Sequence, residues 1–266
     1  METKTAWERV EIARNPKRET ALDYIENIFD DFMELHGDRK FKDDKAIVCG
    51  LANIGSQNYT VIAQQKGRTT KENIERNFGM PNPESYRKAI RFMEQAEKFK
   101  RPVITFIDTK GAYPGVEAEK RGQGEAIAES MLKMAQLKVP ILAMVIGEGS
   151  SGGALAIGVA NEVVMLENAI YSILSPEGYA SILWKDSSRA KEASEKMKLT
   201  ANDLYELKVI DKIIEEPDED LGKKLVSASL KNEIIEFTRR NKNKTEEEVV
   251  EERYQKFINM GNDFIC

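Results

Sequence analysis

Hydrophobic spacing in the first third of the chain predicts a helix followed by a β-hairpin. From Thr20 to Leu35 apolar residues recur every three or four positions, as on one face of a helix that ends at residues 36–38. Two short runs of β-type residues follow, Ala46 to Ala52 and Tyr59 to Gln64. Because only a short polar stretch separates the two runs, we expect them to pair as a hairpin.

The middle of the chain repeats the order strand, glycine-rich loop, helix. The continuous apolar runs Val103–Asp108 and Ile141–Ile146 are typical of strands that are covered on both faces. Each run leads into a glycine-rich loop, residues 109–115 and 147–153. The other predicted elements are a helix from Pro83, helices over 117–137 and 154–159, and strands over 163–166 and 170–174. This alternation predicts an α/β fold with largely buried strands.

No domain-sized linker interrupts this pattern. We therefore predict one domain over residues 1–240, followed by a helical tail over residues 241–266. A polar, basic break at 239–244 separates the two. The tail carries an apolar stripe at helical spacing, formed by Val250, Tyr254, Phe257 and Ile258. Such a stripe can dock on its own domain or on another subunit, and the sequence favours neither.

Composition narrows the class of protein. Of the 266 residues, 41% are hydrophobic and 32% charged, which fits a globular protein with a polar surface. No apolar run approaches the ~20 residues of a membrane-spanning helix. The first residues lack the apolar core of a secretion signal, so we expect a cytoplasmic protein. The net charge of −5 gives no electrostatic reason to expect nucleic acid as a partner.

Cysteine and histidine offer little chemistry. Cys49 and Cys266 lie far apart and show neither metal-ligand spacing nor a disulfide framework. We interpret Cys49 as a small core residue in a strand and Cys266 as a terminal thiol. The lone histidine, His36, lies far in sequence from the glycine-rich loops and is interpreted as a polar turn residue.

The second glycine-rich loop carries the candidate chemistry. Gly152 and Gly153 lead directly into a helix, and without Cβ atoms their N–H groups can approach a bound oxygen closely. Such an oxyanion hole stabilises negative charge that develops on a carbonyl oxygen. Close packing of two glycines at a helix start explains the same pattern, so spacing alone leaves both interpretations open.

Other uses of these loops fit less well. Neither loop matches the phosphate-binding pattern, since the gap from Gly149 to Gly152 is wrong and no lysine follows. Neither offers the dinucleotide pattern with a suitably placed acid. Ser150 or Ser151 could be a nucleophile, but a serine–histidine pair would depend on the distant His36. A serine–lysine pair stays open.

A series of motifs in fixed order resembles the alpha carboxyltransferase family of acetyl-CoA carboxylase. The loop Asp-Thr-Lys-Gly-Ala-Tyr-Pro-Gly at 108–115, with 119–123 after it, is similar to the first signature of that family, and 147–158 to the second. Further matching motifs lie at 35–39, 65–67, 76–81, 174–178 and 181–184. The resemblance runs from about Trp7 to Pro217. Lys110 and Ser150 stand where many relatives have proline and glycine, which affects fine loop geometry.

The resemblance implies a crotonase-like α/β fold, a spiral of ββα units with peripheral N- and C-terminal helices. It implies transfer of a carboxyl group from carboxybiotin, carried on a separate biotin carboxyl carrier protein, to acetyl-CoA. The product is malonyl-CoA, in the first committed step of fatty acid biosynthesis. The resemblance also implies that a zinc-ribbon beta subunit would hold acetyl-CoA and that two alpha and two beta subunits would assemble. By the same resemblance, this chain itself would hold no cofactor and no metal.

The resemblance also assigns the site. The main-chain N–H groups of Gly152 and Gly153 would stabilise the ureido oxygen of biotin as the carboxyl group leaves as CO2. The ureido nitrogen would then take a proton from the acetyl methyl group, and the enolate would attack CO2, so no side-chain base is required. The residues expected to line the substrate pocket are Gly111, Ala112, Tyr113, Gly149 and Ser151. For Gly111 and Ala112 a tight strand-to-helix turn is an equal alternative.

Other residues and other reactions are also compatible with the sequence. Lys66, Arg68 and Lys71 could meet CoA phosphates, although a solvated basic face is the simpler interpretation, and Trp184 is expected in the core or an interface. A crotonase-like hydratase would use paired carboxylates, for which Glu148 and Glu177 are candidates. A crotonase-like peptidase would use a loop serine. A scaffold protein would use the glycines only for packing.

Overall fold

A mixed β-sheet forms the centre of the molecule in the computed structural model, which describes residues 4–217 and 222–261. The predicted terminal thiol of Cys266 and the last five residues of the predicted tail lie outside this range. Eight strands are found in it: β1 (Asp31–Glu34), β2 (Ile47–Ile54), β3 (Gln57–Gln64), β4 (Val103–Thr109), β5 (Ile141–Ser150), β6 (Glu162–Leu166), β7 (Ile170–Ser172) and β8 (Lys212–Ile214).

Twelve α-helices surround this sheet in the described part of the chain. They are α1 (Ala6–Ala13), α2 (Ala21–Ile28), α3 (Thr70–Glu75), α4 (Pro83–Lys98), α5 (Val116–Lys120), α6 (Gln123–Gln136), α7 (Ser151–Leu155), α8 (Pro176–Trp184), α9 (Ala190–Lys196), α10 (Ala201–Glu206), α11 (Gly222–Asn241) and α12 (Glu246–Asn259). None of the helices in these residues is long and apolar enough to cross a membrane.

The strand order explains why the short runs of β2 and β3 form a hairpin, whereas β4 and β5 are continuous apolar runs. The order is β1-β2-β3-β4-β5-β6-β8, and β7 pairs with the end of β5. β1, β2 and β3 are antiparallel, and the predicted hairpin of β2 and β3 is confirmed. From β3 onward the neighbours are parallel. Every residue of β4 and β5 is buried, as their continuous apolar runs predict.

The predicted helix from Thr20 to Leu35 is wrong in its second half. The helix ends at Ile28, and Phe29 has extended backbone angles (φ −92°, ψ 149°). Residues 31–34 form the edge strand β1, in which Phe32 lies opposite Ala52. Helical spacing over so few residues also fits a short strand, and pairing with β2 decides between the two.

Two loop boundaries also differ from prediction. The predicted helix over 117–137 is interrupted at Gly122, whose left-handed backbone (φ 80°) separates α5 from α6. β5 continues to Ser150, so the first half of the loop 147–153 is strand. α7 covers Ser151–Leu155, so it begins earlier than the predicted helix 154–159 and shares only residues 154 and 155 with it. Pairing of β5 with β7 keeps the chain extended up to Ser150.

Two side chains predicted to be buried, Cys49 and Trp184, differ in their exposure. Cys49 is fully buried in β2, where burial raises the pKa of its thiol to about 12, so its assignment as a core residue is confirmed. Trp184 is half-buried at the end of α8, with the Arg189 guanidinium 4.1 Å from its ring centroid.

The C-terminal helix docks on the same chain through a buried arginine. Arg253 on α12 donates hydrogen bonds to the carbonyl oxygens of Met134 and Leu137, both at 2.7 Å. The predicted apolar stripe is divided: Val250 and Phe257 are half-buried, whereas Tyr254 is 56% and Ile258 52% exposed. α11 also runs to Asn241, through the first part of the predicted basic break. The division of the chain at residue 240 stays a prediction.

Candidate functional site

The two glycine-rich loops meet at the carboxyl ends of β4 and β5. The strands are parallel neighbours, and Thr109 is aligned with Gly149. A Cβ atom added to Gly153 would lie 2.6 Å from the Gly111 carbonyl carbon and would also collide with the Ala112 nitrogen. Only glycine therefore fits at position 153. The structure brings together three residues that the sequence placed in one site, Gly111, Ala112 and Gly153.

Gly152 faces open space instead. An added Cβ would meet only the Ile127 Cγ2 atom, at the ordinary contact distance of 3.4 Å. Gly152 and Ser151 line a cavity of about 630 Å³, hereafter the apolar cavity. The rest of its wall is mainly apolar and includes Leu155, Tyr171, Ile173, Leu207, Val209 and Phe257. The glycine pair thus combines one residue that packs and one that opens toward a cavity.

The start of α7 leaves donors for an outside acceptor. The first N–H groups of a helix have no acceptor within it. Ser150 at the N-cap makes no side-chain hydrogen bond that would cap them. Ser151 adopts a left-handed backbone (φ 61°), which turns the chain sharply from β5 into α7. Strained turns of this kind cluster at functional sites.

The other predicted pocket residues have structural partners. Gly149 is buried, and a Cβ there would come 2.7 Å from the Tyr171 ring. The N–H of Gly111 donates to the Thr109 hydroxyl at 3.1 Å, and that of Tyr113 to the Pro81 carbonyl at 3.0 Å. The bond from Gly111 to Thr109 agrees with a tight turn at Gly111 and Ala112, whereas the bond from Tyr113 joins this loop to the segment before α4. The substrate-binding roles of Gly111, Ala112, Tyr113, Gly149 and Ser151 stay predictions.

A second pocket lies at the same strand ends and is polar. It has a volume of about 220 Å³, and its wall includes Arg14, Lys66, Asp108 and Glu148, hereafter the polar pocket. Arg14 Nε lies 2.8 Å from Glu148 Oε1, and Lys66 Nζ lies 2.5 Å from Asp108 Oδ1. Asp108 Oδ1 also accepts the main-chain N–H of Glu148 at 2.9 Å. This network holds the end of β5 from the side of α1.

Arg14 also binds the second candidate carboxylate of a hydratase. Its Nη1 atom lies 2.7 Å from Glu177 Oε1. Burial alone would raise the pKa of the Glu177 carboxyl, but the hydrogen bond and charge of Arg14 outweigh burial and lower it. A general acid requires a raised pKa. Glu148 and Glu177 are both partners of the Arg14 guanidinium. The pKa of Glu177 is lowered rather than raised, so this arrangement does not favour Glu177 as the general acid of a hydratase.

Partners expected of a serine nucleophile are engaged elsewhere. His36 lies beside β1, 60% exposed, with its Nδ1 atom 3.2 Å from Asp43. Among residues 4–217 and 222–261, no histidine or lysine side chain makes a hydrogen bond to Ser150 or Ser151. Within the same residues, no group of three or more histidine, cysteine, aspartate or glutamate side chains suits a metal ion.

The basic residues considered for CoA differ from one another. Lys66 lies in the polar pocket, held by Asp108. Arg68 is more than half exposed and pairs with Asp23, and Lys71 is exposed on α3. Only the last two therefore have the solvated character that the sequence favoured.

Sequence reasoning missed three residues of the site. Arg14 lies 134 residues before its partner Glu148, and Tyr171 lies on β7, where pairing with β5 sets it opposite Gly149. Gln64 ends the predicted strand over 59–64 and makes hydrogen bonds to both loops, to the Gly153 carbonyl at 2.7 Å and from the Asp108 N–H at 3.1 Å. The one available signal was a glutamine at the end of an otherwise apolar run.

Comparison with known proteins gives a consistent picture. The chain matches the family described as "Acetyl co-enzyme A carboxylase carboxyltransferase-like" over residues 1–261. It is 58% identical to the "Acetyl-coenzyme A carboxylase carboxyl transferase subunit alpha" of Clostridium acetobutylicum, over 97% of this chain and 94% of that protein. It is 56% identical to the "subunits beta/alpha" protein of Clostridium tetani over 96% of this chain, but spans only 45% of that longer protein.

Solved structures support the fold. Transcarboxylase 12S with methylmalonyl-coenzyme A and methylmalonic acid bound has a TM-score of 0.71 and 19% identity, covering 86% of this chain and 42% of that one. The beta subunit of geranyl-CoA carboxylase from P. aeruginosa has a TM-score of 0.66 and 16% identity, covering 88% of this chain and 45% of that one. The crotonase-like α/β fold implied by the sequence motifs is confirmed by this likeness.

Proposed function

Because the chain belongs to the acetyl-CoA carboxylase carboxyltransferase family, we propose that it is the alpha half of a two-subunit carboxyltransferase. It transfers a carboxyl group from carboxybiotin to acetyl-CoA and so forms malonyl-CoA for fatty acid biosynthesis in the cytoplasm. The observation that carries this proposal is the opening of Gly152, at the first turn of α7, toward the 630 Å³ apolar cavity.

The residues at this point suit a ureido group. Biotin presents one ureido oxygen on a small bicyclic ring, and the cavity exceeds the lower limit of about 300 Å³ for small-molecule pockets. The N–H groups of Gly152 and Gly153 stand at a helix start, where partial positive charge favours an oxygen that gains negative charge. The mainly apolar wall excludes competing water from that oxygen.

The chain's own contribution is positioning and electrostatics. Carboxybiotin, delivered by a separate carrier protein, supplies both the carboxyl group and the nitrogen that accepts the methyl proton of acetyl-CoA. The main-chain donors of Gly152 and Gly153 hold the ureido oxygen, and each contributes about 3 kcal/mol to stabilising its charge. Gly111 and Ala112 set the position of Gly153 by direct packing. No histidine is needed for this chemistry, which suits a chain with one exposed histidine.

A second subunit completes the site in this proposal. The Clostridium tetani relative joins beta and alpha in one protein more than twice as long as the matched segment, which supports a beta partner for this chain. The partner holds acetyl-CoA through its own crotonase-like half, with two copies of each subunit in the assembly. The chain by itself is expected to be inactive.

The test is reconstitution. The chain is co-expressed and purified with a beta subunit, and biotin-dependent malonyl-CoA formation is measured for each chain alone and for the mixture. We expect product only from the mixture. Enoyl-CoA hydration by the isolated chain, or labelling of Ser150 or Ser151 by a serine-reactive probe, would contradict the proposal in favour of a hydratase or a peptidase.

A further inference from the structure

Gln64 connects the end of β4 with the second glycine-rich loop. It is the last residue of β3 and is fully buried. Its Nε2 atom donates to the carbonyl oxygen of Gly153 at 2.7 Å, and its Oε1 atom accepts the N–H of Asp108 at 3.1 Å. Because a main-chain N–H can only donate and a carbonyl can only accept, these two partners fix the orientation of the side-chain amide.

The bond to Gly153 replaces one that α7 does not make. At the end of this short helix the N–H of Ile157 bonds to Ala154 and that of Ala156 to Gly152. The carbonyl of Gly153 instead receives the hydrogen bond from Gln64. A buried carbonyl left without a donor is unfavourable, so this side chain keeps the first turn of α7 in its observed orientation.

The bond to Asp108 anchors the other end of the bridge. Asp108 is the second-last residue of β4, and its carboxylate binds both Lys66 and the N–H of Glu148. The amide of Gln64 therefore fixes α7 relative to a strand end that is itself held rigidly. Gln64 has no contact with the apolar cavity, whose wall begins at Ser151 and Gly152.

We propose that Gln64 is a positioning residue for carboxyl transfer: its two hydrogen bonds hold the N–H groups of Gly152 and Gly153 at the angle that the reacting oxygen requires. This inference rests on the proposed function. Because misplacement of such donors by about 1 Å costs about 100-fold in rate, loss of the bridge lowers kcat more than it raises the KM for acetyl-CoA, which the partner subunit holds.

Glutamate at this position tests the donor directly. A protonated carboxyl can donate to Gly153 and accept from Asp108, whereas a carboxylate can only accept. Burial raises the pKa of a carboxyl, in documented cases to about 8–9. In Gln64→Glu, kcat relative to wild type should therefore be highest near pH 6 and fall by about 100-fold as pH rises to about 9. In Gln64→Met, which has similar length and no donor, kcat should be low at every pH.

The matched control is Gln65→Glu. Gln65 is also buried and also uses both ends of its amide, but it bonds to Leu22 and Lys66 rather than to the loops. All variants are assayed in the assembled complex over the same pH series, with thermal unfolding followed at each pH. A fall in relative kcat that Gln65→Glu shares at the same pH would overturn the inference.

Three results separate the possible failures. A wild-type complex that forms no malonyl-CoA contradicts the proposed function itself. An active wild type, with a pH-independent ratio for a folded Gln64→Glu, contradicts only the role of Gln64. If Gln64→Glu does not fold, Gln64→Met decides: reduced kcat with nearly unchanged KM supports the inference, and full activity overturns it.

Discussion

The two pockets at the end of β5 are built in opposite ways. In the polar pocket Glu148 has only 3% of its side chain exposed, and Arg14 and Lys66 surround it. The apolar cavity is nearly three times larger, about 630 against 220 Å³, and its wall is mainly hydrocarbon. Yet the two pockets draw on one short stretch of chain, since Glu148 and Gly152 are four residues apart.

The two pockets therefore have different roles: the polar pocket fixes the end of β5, and the apolar cavity accepts the ligand. A buried carboxylate is stable only with close partners, so the ion pairs of the polar pocket fix the position of the strand end. On the other side, the wall of the apolar cavity is mainly hydrocarbon, and its lysine, Lys198, is paired with Asp203. Such a wall screens the main-chain donors at the start of α7 less than water does, so their attraction for a developing charge is stronger. The ion pairs of the polar pocket thus fix the strand end that leads to the main-chain donors beside the apolar cavity.

The largest expected effect comes from closing the gap between the loops. In Gly153→Val the new side chain collides with Gly111 and Ala112, which displaces the donors at the start of α7. We expect malonyl-CoA formation in the assembled complex to fall by more than about 1,000-fold. Gly124→Ala is the matched control, because an added Cβ at Gly124 on α6 meets nothing within 4 Å. Retained activity in a folded Gly153→Val complex would support the scaffold interpretation.

Removing the guanidinium of the polar pocket tests whether its ion pairs fix the end of β5. Arg14→Ala leaves the buried Glu148 carboxylate without its closest cation, and we expect a loss of about 3 kcal/mol in the free energy of unfolding. Arg239→Ala breaks an exposed pair with Glu236 and should cost at most about 0.5 kcal/mol. Urea denaturation measures both. Equal losses would show that the polar pocket does not anchor the strand end.

Filling the apolar cavity tests whether the ligand binds there. Leu207 lies in the cavity wall away from the glycine-rich loops, and Leu207→Trp should obstruct the ligand space. We expect kcat/KM to fall about tenfold or more, since reactants are held off their productive positions, while the unfolding temperature does not fall. Leu225→Trp, at an exposed position of α11, serves as the control. Undiminished kcat/KM in Leu207→Trp would mean that the ligand lies elsewhere.

The smallest effect concerns pH. Arg14 lowers the pKa of Glu177 below its ordinary value of 4.5. The stabilisation is therefore complete above about pH 4.5 and is lost as pH falls through the lowered pKa. Because the Glu177 side chain is 40% exposed, we expect it to contribute less than about 1 kcal/mol. The difference in unfolding free energy between wild type and Glu177→Gln should shrink at acid pH, and a difference that grows there would contradict this account.

Local sequence predicted what depends on local rules. Buried strands, the hairpin and the positions of Gly111 and Gly153 follow from apolar runs and from glycine at strand ends. Residues 31–34 were mispredicted because pairing with β2, a tertiary contact, decides their conformation. Arg14, Gln64 and the docking residue Arg253 could not be predicted because their partners lie 44 to 163 residues away. A hydrophobic pattern carries no information about such partners.

A structure of the assembled carboxyltransferase with biotin bound would show whether the start of α7 holds the ureido oxygen. We expect this oxygen about 3 Å from the main-chain nitrogens of Gly152 and Gly153, with the ring of biotin inside the apolar cavity. Biotin bound away from α7, with both N–H groups bonded to protein or water, would contradict this expectation.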